Sequence, residues 1–520
     1  MIKKTLLAFA LAASALSPAS AAWRQATSKH FLIYSDQSEA DLRALADRLE
    51  RYDSAMRVDR GVQDPDKGQA GRVRLFVVED IDEVQKIFGD NSTKVAGFYI
   101  PRAGGSFALM PRRIVASTER EMDAEHVLRH EYAHAFMFEN WASLALPRWL
   151  GEGFAEFSAG ARVNKDGSVD FGMPARHRIY GLAYHQGFTL NDLLEPPSKM
   201  SPEDGDAFYG KSWLLTHMLT FDKDREGQLG KYLSELNSGK SGMDAAKAAF
   251  GDLKKLDVDM RAYLKQSRFQ GKTIPAGLVK PGSIEVRPLT AAEAAIIPIV
   301  IRSKRGVTEE SAKKLVLDAR KAAAPFPNDK AAQVMLAEAE FDAKNYAEAE
   351  AAADRAIAAD PQFVDAILYK GMARMEKAKA EKSSDPTVWR EVRRLFSSAN
   401  RADPSNPLPL VLFYDSFEAA GAKPTDNAVA GLFAAFEAAP QDIDVRLKAG
   451  RQYLASGNAA GAKLALGPVA YHPHGGELAE MASAILKTLA DKGAPAALSE
   501  FDRLKKEAED KEKEAAKKKA

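Results

Sequence analysis

The residues best suited to chemistry in this chain are His130, Glu131 and His134, in the run His130-Glu131-Tyr132-Ala133-His134. On a helix, histidines four positions apart lie about 6 Å apart along the axis, on nearly one face. From there two imidazole nitrogens can reach one zinc ion at about 2.0–2.1 Å. The carboxylate after the first histidine sits beside that metal, placed to take a proton from its water. A zinc hydrolase site needs three protein ligands and one open position. The third must come from elsewhere, because one helix face cannot surround a metal. Seventeen residues after His134 the chain reads Gly151-Glu152-Gly153-Phe154-Ala155-Glu156. Glu152 is the candidate third ligand, since the interval allows a loop and the first turn of a returning helix. Glu156 follows at i+4 on the same face, suited to accept an N–H from a liganding imidazole and fix its tautomer. Gly151 and Gly153 would let the second helix pack close to the first. His126 extends the histidine row by one more turn. The outer pair would then be about 12 Å apart along the axis, too far to share a metal with a middle ligand on the same face.

These residues need a scaffold. Residues 23–110 read as α/β. His30–Ser35 and Val73–Val78 are strand-like, and Glu39–Met56 carries Leu42, Leu45, Leu49, Tyr52 and Met56 at helical spacing. A short helix is expected near Ile81–Phe88. Val95–Ile100 and Ser106–Met110 look like two strands joined by a Pro-Arg-Ala-Gly-Gly turn. The second of these is a candidate edge for an extended substrate. A helix over Glu119–Asn140 carries the first motif, and another starts near Leu150. Further helices are expected at Phe208–Phe221 and within Gly242–Gln266.

Beyond Val307 the sequence turns alanine-rich and amphipathic. Prolines at 327, 361, 404, 440 and 473 fall at steps of 34, 43, 36 and 33. The helix-pair tetratricopeptide unit has 34 residues with a proline near its end. Ala337, Ala349 and Ala356 occupy positions where two helices approach closely, and Asn345-Tyr346 marks the turn between them. The long step points to an insertion around 379–386.

The two motifs together, with Trp149-Leu150 ahead of Gly151, resemble the gluzincin metallopeptidases, the thermolysin and aminopeptidase N-like superfamily. The resemblance covers roughly residues 95–220. It implies that Glu152 is the third zinc ligand, that Glu131 is the general base and that Glu156 orients a histidine. Phe208-Tyr209-Gly210-Lys211-Ser212-Trp213 looks like the tyrosine-x-lysine segment of aminopeptidase-like members, which implies an oxyanion-donating role for Tyr209. His217, two turns further on, is a candidate second oxyanion donor. The motif that binds a free N-terminus in aminopeptidases is absent, so nothing supports exopeptidase specificity. The expected architecture is therefore an α+β gluzincin-type metallopeptidase domain over 22–270 and a linker over 271–307, whose part at 271–290 reads as a linker or small strand element. An all-α tetratricopeptide-like helical-repeat domain over 308–493 and a charged tail over 494–520 follow. A fragment ending near Leu289 is expected to hold zinc by itself.

Met1-Ile2-Lys3-Lys4, the apolar run to Leu16 and Ala19-Ser20-Ala21 read as a secretory signal peptide cleaved near Ala21. This implies a bacterial periplasmic or secreted protein. The formal net charge of +1 argues against nucleic acid as partner. No later segment is long and apolar enough for stable membrane insertion. The absence of cysteine excludes a thiol nucleophile and any thiolate metal site. The expected activity is a zinc-dependent endopeptidase acting on a peptide or protein substrate, with the repeats recruiting substrate or a protein partner. Two alternatives are a catalytically idle binding scaffold on a metallopeptidase fold and an amide hydrolase acting on cell-wall peptides. His177 and His185, in a Gly/Tyr-rich segment, are read as surface or cleft residues. His472 and His474 are read as loop residues.

Overall fold

The computed structural model describes residues 23–89, 95–112, 124–144, 146–185, 187–197, 199–472 and 475–519. The leader expected over 1–21 lies outside them. The N-terminal part is built on a six-stranded mixed sheet of order β4-β5-β3-β2-β1-β9. Its strands are β1 (Arg24–Thr27), β2 (Phe31–Ser35), β3 (Val73–Val78), β4 (Phe98–Ile100), β5 (Phe107–Pro111) and β9 (Glu285–Pro288). β2, β3 and β5 run parallel, while β4, β1 and β9 pair antiparallel with their neighbours. β3 and β5 are apolar nearly throughout because both sheet faces are covered. On one face α1 (Glu39–Arg60) buries Leu42, Leu45, Leu49, Tyr52 and Met56, the stripe read from the sequence. On the other lie α2 (Ile81–Phe88) and α11 (Ala291–Arg305). There Ile297 and Ile301 of α11 pack with Phe76, Val78, Phe107 and Leu109.

Two expectations are corrected here. The segment 271–307 is no bare linker: it supplies β9, α11 and β8 (Lys272–Ile274) to the N-terminal unit. β8 completes a second sheet with β6 (Arg162–Val163) and β7 (Val169–Phe171). The strand at 106–110 is interior, because the Pro-Arg-Ala-Gly-Gly turn folds β4 back onto its outer side. Among the described residues the outer strands of this sheet are β4 and β9.

The face under α1 also takes α3 (Ala124–Asn140) and α4 (Arg148–Ala159), whose Leu128, Ala133, Phe136, Trp149 and Phe154 join the same core. Behind them stand α5 (Ile179–Ala183), α6 (Leu190–Leu194), α7 (Pro202–Phe221), α8 (Gln228–Asn237), α9 (Gly242–Phe250) and α10 (Leu253–Leu264). α7 begins a full turn and a half earlier than expected, where Ser201 caps it by accepting from the Asp204 N–H and Pro202 opens the first turn.

The C-terminal part is helical. α12 (Glu309–Ala323), α13 (Lys330–Asp342), α14 (Tyr346–Ala359), α15 (Val364–Ala380) and α16 (Pro386–Ala402) are followed by α17 (Leu408–Ala419) and α18 (Asp426–Ala438). α19 (Ile443–Ala455), α20 (Ala459–Ala470), α21 (Glu477–Lys492) and α22 (Ala494–Lys519) complete it. Each packs on its sequence neighbours. Ala337, Ala349 and Ala356 are fully buried. The long proline step resolves into longer helices as well as a loop: α15 and α16 have 17 residues each, against 13 and 14 in α13 and α14. The charged tail starts later than expected. Ala494, Ala497 and Phe501 of α22 are buried against Leu454, Leu466, Ile485 and Leu489, closing the array. Among the described residues no helix is long and apolar enough to cross a membrane.

The array folds back onto the N-terminal part. Arg446 of α19, fully buried, donates to the Ala142 carbonyl at 3.2 Å, and Asp442 accepts from the Ala103 N–H at 2.7 Å. The His472 ring stacks on Phe138 of α3 with centroids 5.9 Å apart.

Candidate metal centre

The chain reverses between α3 and α4 so that both present polar side chains to one point inside an apolar core. Trp149, fully buried, anchors the start of α4, its indole N–H donating to the Tyr232 hydroxyl at 3.2 Å. Gly153 is required by α7 rather than by α3: a Cβ there would collide with the Ser212 carbonyl and the Thr216 hydroxyl. Gly151 lines a small cavity shared with Pro468 and Tyr471 of the helical array.

His130, His134 and Glu152 come together. The two Nε2 atoms are 3.2 Å apart, and Glu152 Oε2 lies 3.2 Å from the first and 3.4 Å from the second. An ion held at 2.0–2.1 Å by tetrahedrally arranged donors keeps those donors about 3.3–3.4 Å apart. The triangle has that size. All three side chains are buried, and Glu152 is 0% exposed. A carboxylate taken that far from water needs a compensating positive charge. This buried His/His/Glu group could hold a metal ion, and its donors are those a divalent transition metal accepts.

Glu131 is half-buried, and its charge acts on His130, on Tyr99 of β4 and on Tyr209 of α7. It thus lies within charge range of all three groups. The Tyr209 ring is centred 6.1 Å from that of His130. Burial, reinforced by the negative charge of Glu152, pushes its phenol well above the usual range and keeps it protonated as a donor.

Glu156 stands behind His130, its Oε1 3.6 Å from Nδ1, a charge contact longer than a formed hydrogen bond. The same oxygen accepts from Arg178 at 2.6 and 3.0 Å. Oε2 is 3.0 Å from His177 Nε2 and 3.7 Å from His126 Nε2. Burial alone would raise the Glu156 pKa, yet Arg178 and the three imidazoles hold it well below the usual range. Arg178 also reaches Asp206 at 3.3 Å and lies over the Tyr209 ring, 4.6 Å from its centre. One guanidinium therefore joins the carboxylate behind the candidate metal ligands to the candidate oxyanion donor. His126, Glu156 and His177 are also spaced like a ligand set. Arg178 already neutralises that carboxylate, so the group serves as a buttress. Neither Arg178 nor the role of His177 was legible in the sequence, because nothing in a separation of 22 residues ties Arg178 to Glu156.

His217 is not at the site. Eight positions after Tyr209 it has rotated by about 80° around α7. Its Nδ1 meets the Tyr263 hydroxyl at 2.9 Å, and Nε2 meets the carbonyls of Gln270 and Gly172 at 3.0 and 3.2 Å. Burial draws its pKa down to about 4. It fills a packed contact rather than donating to an oxyanion. His185 pairs with Asp204 at 2.8 Å. His474 lies outside the described residues.

A third cluster lies on the far side of α3. His30 contacts Glu50 at 2.7 Å and Asp53 at 3.4 Å through Nδ1, and Asp64 at 2.9 Å through Nε2. Asp53 also accepts from the Tyr132 hydroxyl at 2.7 Å, tying the first motif to α1. With both ring nitrogens on carboxylates, this is a charged hydrogen-bond cluster rather than a ligand set. No protein-family model and no curated protein sequence matches the chain.

Proposed function

We propose that this protein is a zinc-dependent metallopeptidase of gluzincin type that hydrolyses internal peptide bonds. The observation that carries this reading is the triangle of His130, His134 and Glu152, sized for one tetrahedral ion, with Glu131 beside it. Zinc, when bound, would supply a Lewis acid that polarises the scissile carbonyl and lowers the pKa of water toward ~7. Glu131 takes the proton of the attacking water and returns it to the leaving amine. The Tyr209 hydroxyl donates to the developing oxyanion. Glu156 faces the Nδ1 side of His130, which favours the tautomer that leaves Nε2 for the metal. Strand β4, an outer strand of the sheet among the described residues, suits main-chain pairing with an extended substrate. The leader implies export, and the tetratricopeptide-like array would recruit substrate or a partner.

The test is Glu131→Gln, assayed for bound zinc and for cleavage of an unfolded protein. Zinc should stay at wild-type level while cleavage is lost. Cleavage equal to wild type would sink the mechanism.

A further inference from the structure

A second pocket, on the side of α7 away from Tyr209, has no part in the chemistry above. Lys211 and Leu214 lie about 200° and 140° around α7 from Tyr209. The pocket has a volume of about 550 Å³ and is walled by Leu182, Phe188, Leu193, Leu214, Met260 and Leu264. Pockets that bury small molecules measure about 300–1,000 Å³ and are apolar with few polar groups. One amine, that of Lys211, is half-buried in the wall, bonded to the Phe188 carbonyl and 5.9 Å from the Phe188 ring centre. Burial pulls its pKa below the usual lysine value, as expected for a cation placed against hydrocarbon. Arg261, Lys265 and Asp257 complete the polar lining. Asp257 is engaged by Arg261 at 2.5 Å, so the pocket carries net positive charge.

We propose that this pocket binds a free alkyl carboxylate, a fatty acid of about a dozen carbons, with its chain among the leucines and its carboxylate on Lys211. Charge complementarity selects an anion: a carboxylate can replace the Phe188 carbonyl as the partner of the amine with a stronger, charge-assisted bond. The walls select an alkyl chain over a peptide. They come chiefly from α5, α6, α7 and α10, and in the long helices α7 and α10 the interior main-chain groups bond within the helix. A peptide main chain would find few partners there, whereas an alkyl chain needs none. Ile179, 48% exposed at the mouth, extends the apolar surface outward.

The test is calorimetric titration of the full-length protein with dodecanoate, dodecanol and dodecylamine. It is repeated with Lys211→Met and with Ile179→Glu, a surface change that places a carboxylate at the mouth. Dodecanoate should bind best and dodecylamine least. Lys211→Met should weaken dodecanoate by about tenfold, the loss of one charge-assisted hydrogen bond, and leave dodecanol unchanged. Ile179→Glu should weaken dodecanoate while the fold is retained. The assignment is overturned if dodecylamine binds as well as dodecanoate, or if neither variant changes dodecanoate binding. Tighter binding of an apolar peptide with a free C-terminus would overturn it too.

Discussion

Arg178 donates from Nη2 and Nε to a single oxygen of Glu156, at 2.6 and 3.0 Å, at a depth where Glu156 is 1% exposed. Glu156 faces His130, so the pair acts on the candidate metal ligands from behind. Arg178→Met leaves that carboxylate without its main cation. A buried pair broken on one side costs about 3–5 kcal/mol, and removal of the groups that orient metal ligands costs roughly 10–100-fold in affinity. Both a lower unfolding midpoint and weaker zinc retention against a chelator are expected. Arg178→Lys should recover part of the stability but not the two-pronged contact.

The His126–Glu156–His177 group predicts a stoichiometry. As a buttress it leaves room for one zinc per chain, and His126→Ala and His177→Ala variants should still take one. His134→Ala and Glu152→Ala should take none. Metal analysis after dialysis decides this, and two equivalents in wild type, falling to one in His177→Ala, would make the buttress a second metal site.

How far the sequence reached follows from the range of each interaction. His130, His134 and Glu152 were legible because helical periodicity and one short loop fix their relation. The stripe of α1 and the alanines of α13 and α14 were legible for the same reason. Arg178 was not, since its partner is set by tertiary packing. His217 was misplaced by reasoning in whole turns, which ignores the 80° that eight residues accumulate. The linker reading of 271–307 missed the helix α11 and, although a small strand element was expected at 271–290, its pairing with β1 and β7, far away in sequence. That error has a consequence. A fragment ending near Leu289 lacks α11 and uncovers Phe76, Val78, Phe107 and Leu109. It should aggregate rather than hold zinc, as size-exclusion chromatography beside a fragment ending at Gly306 would show.

His30 supplies a pH dependence. Burial alone would lower its pKa, but the bond to Glu50 and the charges of Asp53 and Glu50 raise it from 6.5 to about 9. A raised folded-state value means the stabilisation is fully present below the unfolded value of about 6.5 and is lost as pH rises through about 9. The shift corresponds to on the order of 3 kcal/mol. Urea midpoints measured at both ends of that window should fall with rising pH in wild type. The slope should flatten in His30→Gln, which keeps the shape without the titrating proton.

Arg446 clamps the helical array to the turn between α3 and α4. Fully buried, it donates to the carbonyls of Pro440, Ala142, Leu464 and Ala465 and lies 5.5 and 5.3 Å from the ring centres of Phe138 and Phe436. Burial pulls its pKa down to about 10. Ala142 sits in the turn that returns the chain from His134 to Glu152, so the array is bonded to the connection between the candidate metal ligands. Arg446→Met keeps the bulk but leaves several buried carbonyls without a donor, at about 1–3 kcal/mol for each that water cannot reach. The expected outcome is faster proteolysis between Trp141 and Pro147 and a lower thermal midpoint, with zinc still bound at saturating metal. If proteolysis there is unchanged while the midpoint falls, the clamp stabilises the array alone and has no hold on the α3–α4 turn.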